Sequence, residues 1–145
     1  MPDKQDRQFV DTNILVYAHD RSAGEKHDKA KTLLGKLWES GNGCLSVQVL
    51  QEFYVTVTQK VPAPLGSDSA AKIIESLSYW LAHAPGPQDV LTAIDIQQRH
   101  QISFWDAMIV QSAAQLDCNI LWSEDFNHGQ VYADVKSLNP FVKGF

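Results

Sequence analysis

The sequence predicts an α/β protein in which a parallel sheet of short strands is covered by helices on both faces. Two observations carry that prediction. Short apolar runs ending at Val10, covering 44–45 and covering 119–122, alternate with longer segments of helical periodicity, the pattern of strands joined through helical crossovers. The chain's 145 residues match one domain spanning 1–145, with no internal repeat, linker or low-complexity segment to divide it.

Each element has a local reason. Phe9 and Val10 end an apolar stretch at Asp11, after which Asn13-Ile-Leu-Val-Tyr reads as a strand passing into a helix. Over 25–39 the residues Ala30, Leu33, Leu34, Leu37 and Trp38 recur at helical spacing, and Gly41-Asn-Gly43 ends the helix. Cys44-Leu45 forms a minimal second strand. Ser46 caps a helix with the stripe Val47, Leu50, Tyr54, Val57 and Val61, stopped by Pro62 and Pro64. A further helix opens at Ser67 or Asp68, carries Ile73, Ile74, Leu77, Trp80 and Leu81, and breaks at Pro85-Gly-Pro87. The next runs over 89–101 with Val90, Leu91 and Ile94 as its apolar face. Ser103 caps another, bearing Trp105, Met108, Ile109 and Leu116. Residues 119–122 form a strand, 123–129 a polar loop, and a weaker strand is expected near 131–135.

Composition narrows the function classes. With 44% apolar and 20% charged residues the chain is too apolar for a disordered protein, and no apolar run approaches the ~18 residues of a membrane span. The opening MPDKQDRQF lacks the continuous apolar stretch of a signal peptide, so the cytosol is the expected location. Cys44 and Cys118 sit in no CxxC or Cys/His array and read as two reduced, buried thiols. The five histidines show no metal-ligand spacing and read as surface or capping residues, and the four tryptophans read mostly as core. A net charge of −5 argues against nucleic-acid binding by bulk electrostatics. That average hides an asymmetry: 21–36 holds five bases against two acids, whereas 73–135 holds one base, Arg99, against eight acids.

Four of the acids stand out by context: Asp11 in Phe-Val-Asp-Thr-Asn, Glu52 in Leu-Gln-Glu-Phe-Tyr, Asp106 in Phe-Trp-Asp-Ala-Met and Asp125 in Trp-Ser-Glu-Asp-Phe. Each has a structural alternative. Asp11 could cap a helix, Glu52 falls on the solvent side of its predicted stripe, Asp106 completes a capping box with Ser103, and Asp125 could be turn chemistry. Together they mean more, because Asp11 and Asp125 both follow strands and ligands in such folds bind beyond the strands' carboxyl ends. Carboxylates gathered at one edge repel one another unless a cation neutralises them. Hard oxygen donors suit Mg²⁺ or Mn²⁺, which bind phosphate oxygens and activate water, the chemistry of phosphodiester hydrolysis.

In their order along the chain, Phe-Val-Asp-Thr-Asn, Gln-Glu-Phe, Phe-Trp-Asp-Ala, Ser-Glu-Asp-Phe and the closing Leu-Asn-Pro-Phe resemble a PIN domain of the VapC toxin ribonuclease type over essentially the whole length. The resemblance implies a three-layer α/β/α sandwich, usually a homodimer, that cleaves RNA with Mg²⁺ or Mn²⁺ and is paired with a small antitoxin protein. It places Asp11, Glu52, Asp106 and Asp125 in the acidic set and Asn13 and Ser123 in supporting polar positions. Glu124 adjoins Asp125, and either could turn into the site. Lys29 and Lys36, seven residues apart on one helix face, are the candidate substrate contacts. Two other readings of these residues stay open: a PIN fold serving as an interaction module without catalysis, and a haloacid-dehalogenase-like phosphatase. The latter expects a second Asp two residues after the first, where this chain has Asn13.

Overall fold

Phe9 and Val10, both fully buried, form the central strand of the molecule, with a neighbouring strand on each side. The structure is a computed structural model that describes residues 6–145. In chain order the elements are β1 (Gln8–Val10), α1 (Thr12–Ala18), a single 3-10 turn (Arg21–Ala23), α2 (Glu25–Ser40), β2 (Gly43–Ser46), α3 (Val47–Gln59) and α4 (Ser67–Leu77). There follow β3 (Leu81–His83), α5 (Pro87–His100), α6 (Phe104–Gln115), β4 (Ile120–Trp122), β5 (Val131–Tyr132) and β6 (Val135–Leu138). The strands lie in the order β3-β2-β1-β4-β6-β5, all parallel except β5, which pairs antiparallel with β6.

This order positions the site. The chain moves outward from β1 to β2 and β3 through α1–α4, then returns past β1 to β4 through α5 and α6. Right-handed crossovers in opposite directions put the two helix groups on opposite faces, giving three layers. The direction reverses between β1 and β4, and a crevice at such a point, beyond the strands' carboxyl ends, is where an open parallel sheet offers a binding site.

Local signals account for most boundaries. Asp11 caps α1 by accepting from Thr12 N–H at 2.7 Å, and Ser46 and Ser103 cap α3 and α6 through Val49 N–H at 3.3 Å and Asp106 N–H at 3.1 Å. Gly41, in the left-handed region at φ 74°, ends α2. Both cysteines are buried free thiols, as expected.

Several expectations need correction. The helix expected to carry Trp80 and Leu81 stops at Leu77, and Leu81 to His83 become an edge strand paired with Cys44 to Ser46. Strand pairing there outweighs the helical spacing, and it lets Trp80 fold under β2. The buried face of α3 is Val49, Phe53 and Val57, whereas Val47, Leu50 and Tyr54 line a surface groove. That helix is apolar on two sides, so periodicity alone could not choose between them. On α5 the buried residues are Ala93 and Ile96, and Val90, Leu91 and Ile94 are exposed. The single weak strand near 131–135 is a hairpin, turned by Ala133 and Asp134 at positive φ of 48° and 66°. Trp105 is exposed, and Trp38 is half exposed while packing edge-on against Trp80. The histidines are more engaged than expected. His19 and His27 bond the carbonyls of Leu15 and Tyr17 at 2.9 Å, and His83 lies between Ser112 and Asp89.

The seat of Trp80 yields a stability prediction. A Cβ added at Gly43 would lie 2.6 Å from the Trp80 ring, so Gly43→Ala should force that ring out of its rotamer and lower stability by about 1–3 kcal/mol. Equilibrium denaturation would measure it, and an unchanged midpoint would show that β3 does not depend on this contact.

Candidate active site

Asp11 is the centre of the arrangement at the β1/β4 reversal. It is 4% exposed, and its carboxylate is held from two sides: Ser123 Oγ donates to Oδ2 at 2.7 Å and Thr12 N–H donates to Oδ1 at 2.7 Å. Ser123, fully buried, follows β4 as Asp11 follows β1. The register Val10↔Trp122 therefore brings the two residues face to face. Burial above all, with smaller contributions from the charges of Asp125 and Glu52, raises the Asp11 pKa to about 7 against the opposing pull of those two hydrogen bonds.

Asn13 organises the opposite wall. Its Nδ2 donates to Asp125 Oδ2 at 3.0 Å and to Ser123 Oγ at 3.3 Å, while its Oδ1 accepts from Glu124 N–H at 3.3 Å. Asp125 N–H in turn donates to Ser123 Oγ at 3.1 Å. Ser123 thus bonds the Asp11 carboxylate and Asn13 that of Asp125. The choice between Glu124 and Asp125 is also clear from geometry. Glu124 turns away, accepting from Tyr17 OH at 2.5 Å and pairing with Lys26 Nζ at 2.8 Å, whereas the Asp125 charge acts on both Asp11 and Asp106.

The remaining acids arrive on helices. Asp106 lies in the first turn of α6, and its pKa is raised by partial burial, lowered by the Ser103 hydrogen bond and raised again by Asp125. Glu52 is exposed on α3, as periodicity says, yet its charge reaches Asp11. The two helices are tied by Gln48, whose Nε2 donates to Glu52 Oε1 at 3.0 Å and to the Trp105 carbonyl at 3.3 Å. All four predicted acids are thus electrostatically linked at one edge of the sheet. Lys29 and Lys36 are not part of this cluster; they border a neighbouring cleft on α2. Sequence reasoning missed three contributors: Gln48, one helical turn before Glu52, Tyr17, one turn after Asn13, and Lys26, hidden within the basic run.

Among the described residues, no three His, Cys, Asp or Glu side chains are close enough to form a ready-made metal cage. The donor set nevertheless fits a hydrated hard cation, which takes one or two carboxylates and keeps several waters. It consists of carboxylate oxygens alone, and its buried member is held against like charge. Two flanking residues, Thr12 and Gln48, also carry buried oxygens with no partner, Oγ1 and Oε1, of the kind a bound water satisfies.

A three-layer α/β fold with acids converging where its strand order reverses defines the class of protein. Within that class the chain belongs to the PIN-domain family, whose model matches residues 9–134. No curated protein sequence matches it. Among solved structures it is similar to a toxin–antitoxin complex from Klebsiella pneumoniae (TM-score 0.68, 17% identity, covering 92% of this chain and 98% of that one). It is also similar to the Mycobacterium tuberculosis toxin VapC20, described as cleaving the sarcin–ricin loop (TM-score 0.64, 20% identity, 89% and 98% covered). A third similar structure is VapBC2 of Rickettsia felis, bound to a DNA fragment from its promoter (TM-score 0.64, 18% identity, 91% and 97% covered). At these identities the likeness establishes the shared fold.

The raised pKa of Asp11 has a testable sign. Between the unperturbed value of 3.8 and about 7 the folded, metal-free protein keeps a proton that the unfolded chain releases. Stability should therefore fall as pH rises through that window and level off above it, by at most about 4 kcal/mol from this group. Asp11→Asn, which preserves shape, should flatten that slope and stabilise the metal-free protein at pH 8. Denaturation in chelator at pH 5 and pH 8 would check it, and parallel pH profiles for parent and variant would exclude a protonated Asp11.

Proposed function

We propose that this protein is a Mg²⁺- or Mn²⁺-dependent endoribonuclease, the toxin of a toxin–antitoxin pair. The observation that carries the reading is the buried Asp11 carboxylate, raised to about 7 and coupled to Glu52 and Asp125 at the mouth of the sheet. Maintaining such a group costs stability unless a cation arrives to use it. The toxin neighbours in structure support the same reading, as does the complete set of acids, which a purely scaffolding domain has no physical reason to keep.

In this mechanism Asp11 and Asp106 would hold the cation, Glu52 would complete the site or orient the attacking water, and Asp125 would hold a second cation or a bound water. Bound there, the cation would polarise a phosphoryl oxygen and lower the pKa of water. The chain's neutral groups perform the positioning: Ser123 and the Thr12 N–H orient the Asp11 carboxylate, and Asn13 orients Asp125. No side chain serves as a covalent nucleophile, so in-line attack by water leaves a 5′-phosphate and a 3′-hydroxyl. The expected partners are RNA, a small cognate antitoxin and a second copy of the chain in a homodimer. An antitoxin can inhibit by inserting an arginine against the carboxylates. The described residues contain no helix long and apolar enough to cross a membrane, and a cytoplasmic site of action is part of the proposal.

Chelation should abolish RNA cleavage and Mg²⁺ or Mn²⁺ should restore it. Asp11→Asn and Asp106→Asn should each lower the rate by at least about 100-fold, roughly 2.7 kcal/mol of transition-state stabilisation, while remaining folded by circular dichroism. Sequencing of RNA ends after brief exposure to the purified protein gives the cleavage sites. Undiminished activity in excess chelator would overturn the metal mechanism. Calorimetry with the neighbouring gene product should show tight binding that weakens when Asp11 or Asp106 is neutralised, and unchanged affinity in both variants would exclude capture through these carboxylates.

A further inference from the structure

Beside the carboxylates, α2 presents a row of three lysines. Lys26, Lys29 and Lys36 fall within about 80° of one another around the helix, on the side that also carries Leu33. Lys26 is committed: it pairs with Glu124 at 2.8 Å and lies over the rings of Tyr17 and Phe141, at 4.9 and 5.4 Å from their centroids. Lys29 and Lys36 form no ion pair among the described residues. They are two helical turns apart, about 10.5 Å along the axis, and flank a cleft of about 320 Å³ lined also by Asp28, Thr32, Leu33, Trp122, Pro140 and Phe145.

The cleft adjoins the acidic site through two routes. Trp122 is the last residue of β4 and directly precedes Ser123, the group that holds Asp11. Lys29 lies one turn along α2 from Lys26, whose ammonium contacts Glu124 beside Asp125. The Trp122 ring is fixed, its Nε1 donating to Gln8 Oε1 at 2.6 Å and its edge packed against Phe145 at 5.6 Å. An aromatic ring and two unpaired cations lining one cleft are the combination that binds a single strand, with a base against the ring and phosphates on the ammonium groups. Asp28 is the one acidic side chain among the residues lining the cleft.

We infer that this cleft is a subsite for single-stranded RNA, taking a base against Trp122 and the flanking phosphates on Lys29 and Lys36, a nucleotide or two from the scissile bond. It rests on the nuclease reading and adds to it where the strand runs. Such a path is needed because the acidic centre around Asp11 and Asp125 repels the phosphates that the nuclease must hold.

Two substrates separate the subsite from the centre. The small diester bis(p-nitrophenyl) phosphate, with Mn²⁺, reads the carboxylates alone; a fluorescein-labelled RNA octamer, bound to the inactive Asp106→Asn protein, reads the strand path by anisotropy. Lys29→Gln/Lys36→Gln should leave diester hydrolysis within twofold of the parent. The same pair of changes in the inactive background should weaken RNA binding at least tenfold and reduce the salt slope, log Kd against log salt, by about 1.4, near 0.7 for each phosphate that a lysine no longer neutralises. Lys29→Arg/Lys36→Arg should restore both, and Lys60→Gln/Lys72→Gln should change neither. Unchanged affinity and slope in the Gln variant, while the parent still cleaves the diester and RNA, would overturn the subsite and leave the nuclease reading standing. Loss of antitoxin affinity without loss of RNA affinity would assign the cleft to a protein and equally overturn it. A parent protein that hydrolyses neither substrate would overturn the nuclease reading itself.

Discussion

The upper edge of the sheet is organised around one constraint, the burial of the Asp11 carboxylate where the strand order reverses. An ionised carboxylate there is costly, and the two hydrogen bonds it accepts offset only part of the cost, which is why its pKa is pushed up to about 7. The neighbours chosen for it are informative. Ser123, Asn13 and the Thr12 N–H are neutral donors, whereas an arginine or lysine at the same place would neutralise the acid permanently. The local cation, Lys26, is instead engaged by Glu124. The fold thereby holds a negative centre that is oriented but unneutralised.

Holding Asp106 against that centre requires a rigid helix, and α6 is built for it. Residues 107–113 are buried without interruption, with Ala107, Ser112 and Ala113 small enough for close packing between the sheet and α5. Its two buried polar side chains are met from outside: Gln111 Nε2 donates to Asp89 Oδ1 at 2.8 Å, and Ser112 Oγ is hydrogen-bonded to His83 Nδ1 at 2.8 Å. His83 Nε2 lies 3.3 Å from Asp89 Oδ2, so Ser112, His83 and Asp89 have the connectivity of a hydrolase triad. Ser112 is wholly buried and no substrate can meet it. The arrangement pins β3 and α5 to the second half of α6, the helix whose first turn carries Asp106.

What could be read from the sequence followed the strength of each local signal. Capping serines, the Gly41 stop and the acids after strands all act through one or two neighbouring residues, and Ser46, Ser103 and Asp11 take the places that such rules assign, whereas the place of Ser123 beside Asp11 followed from the family resemblance alone. Where a choice depended on distant packing, the pattern was ambiguous. On α3 both Val47/Leu50/Tyr54 and Val49/Phe53/Val57 satisfy helical spacing, and only the seating of α3 against α1 and β2 decides between them. Leu81 to His83 became a strand because β2 offered it backbone partners, information that lies 37 residues away at Cys44. Glu52 shows the same limit for the site. Solvent exposure and proximity to Asp11 were opposed readings only while the orientation of α3 was unknown.

Net charge is the wrong variable for judging whether such a protein can hold RNA. At physiological ionic strength the Debye length is about 8 Å, so a phosphate senses the groups immediately around it rather than the total of −5. The Lys26–Glu124 pair matters in that light because it offsets the Glu124 charge in the local balance. Along α2 the field then changes sign over two or three turns, from the carboxylates at Asp11 and Asp125 to the unpaired Lys29 and Lys36. On the proposed nuclease reading, a strand laid along this gradient would be held by its outer phosphates and repelled at the inner one until a divalent cation entered, so that RNA and metal would reinforce each other's binding through the same electrostatics.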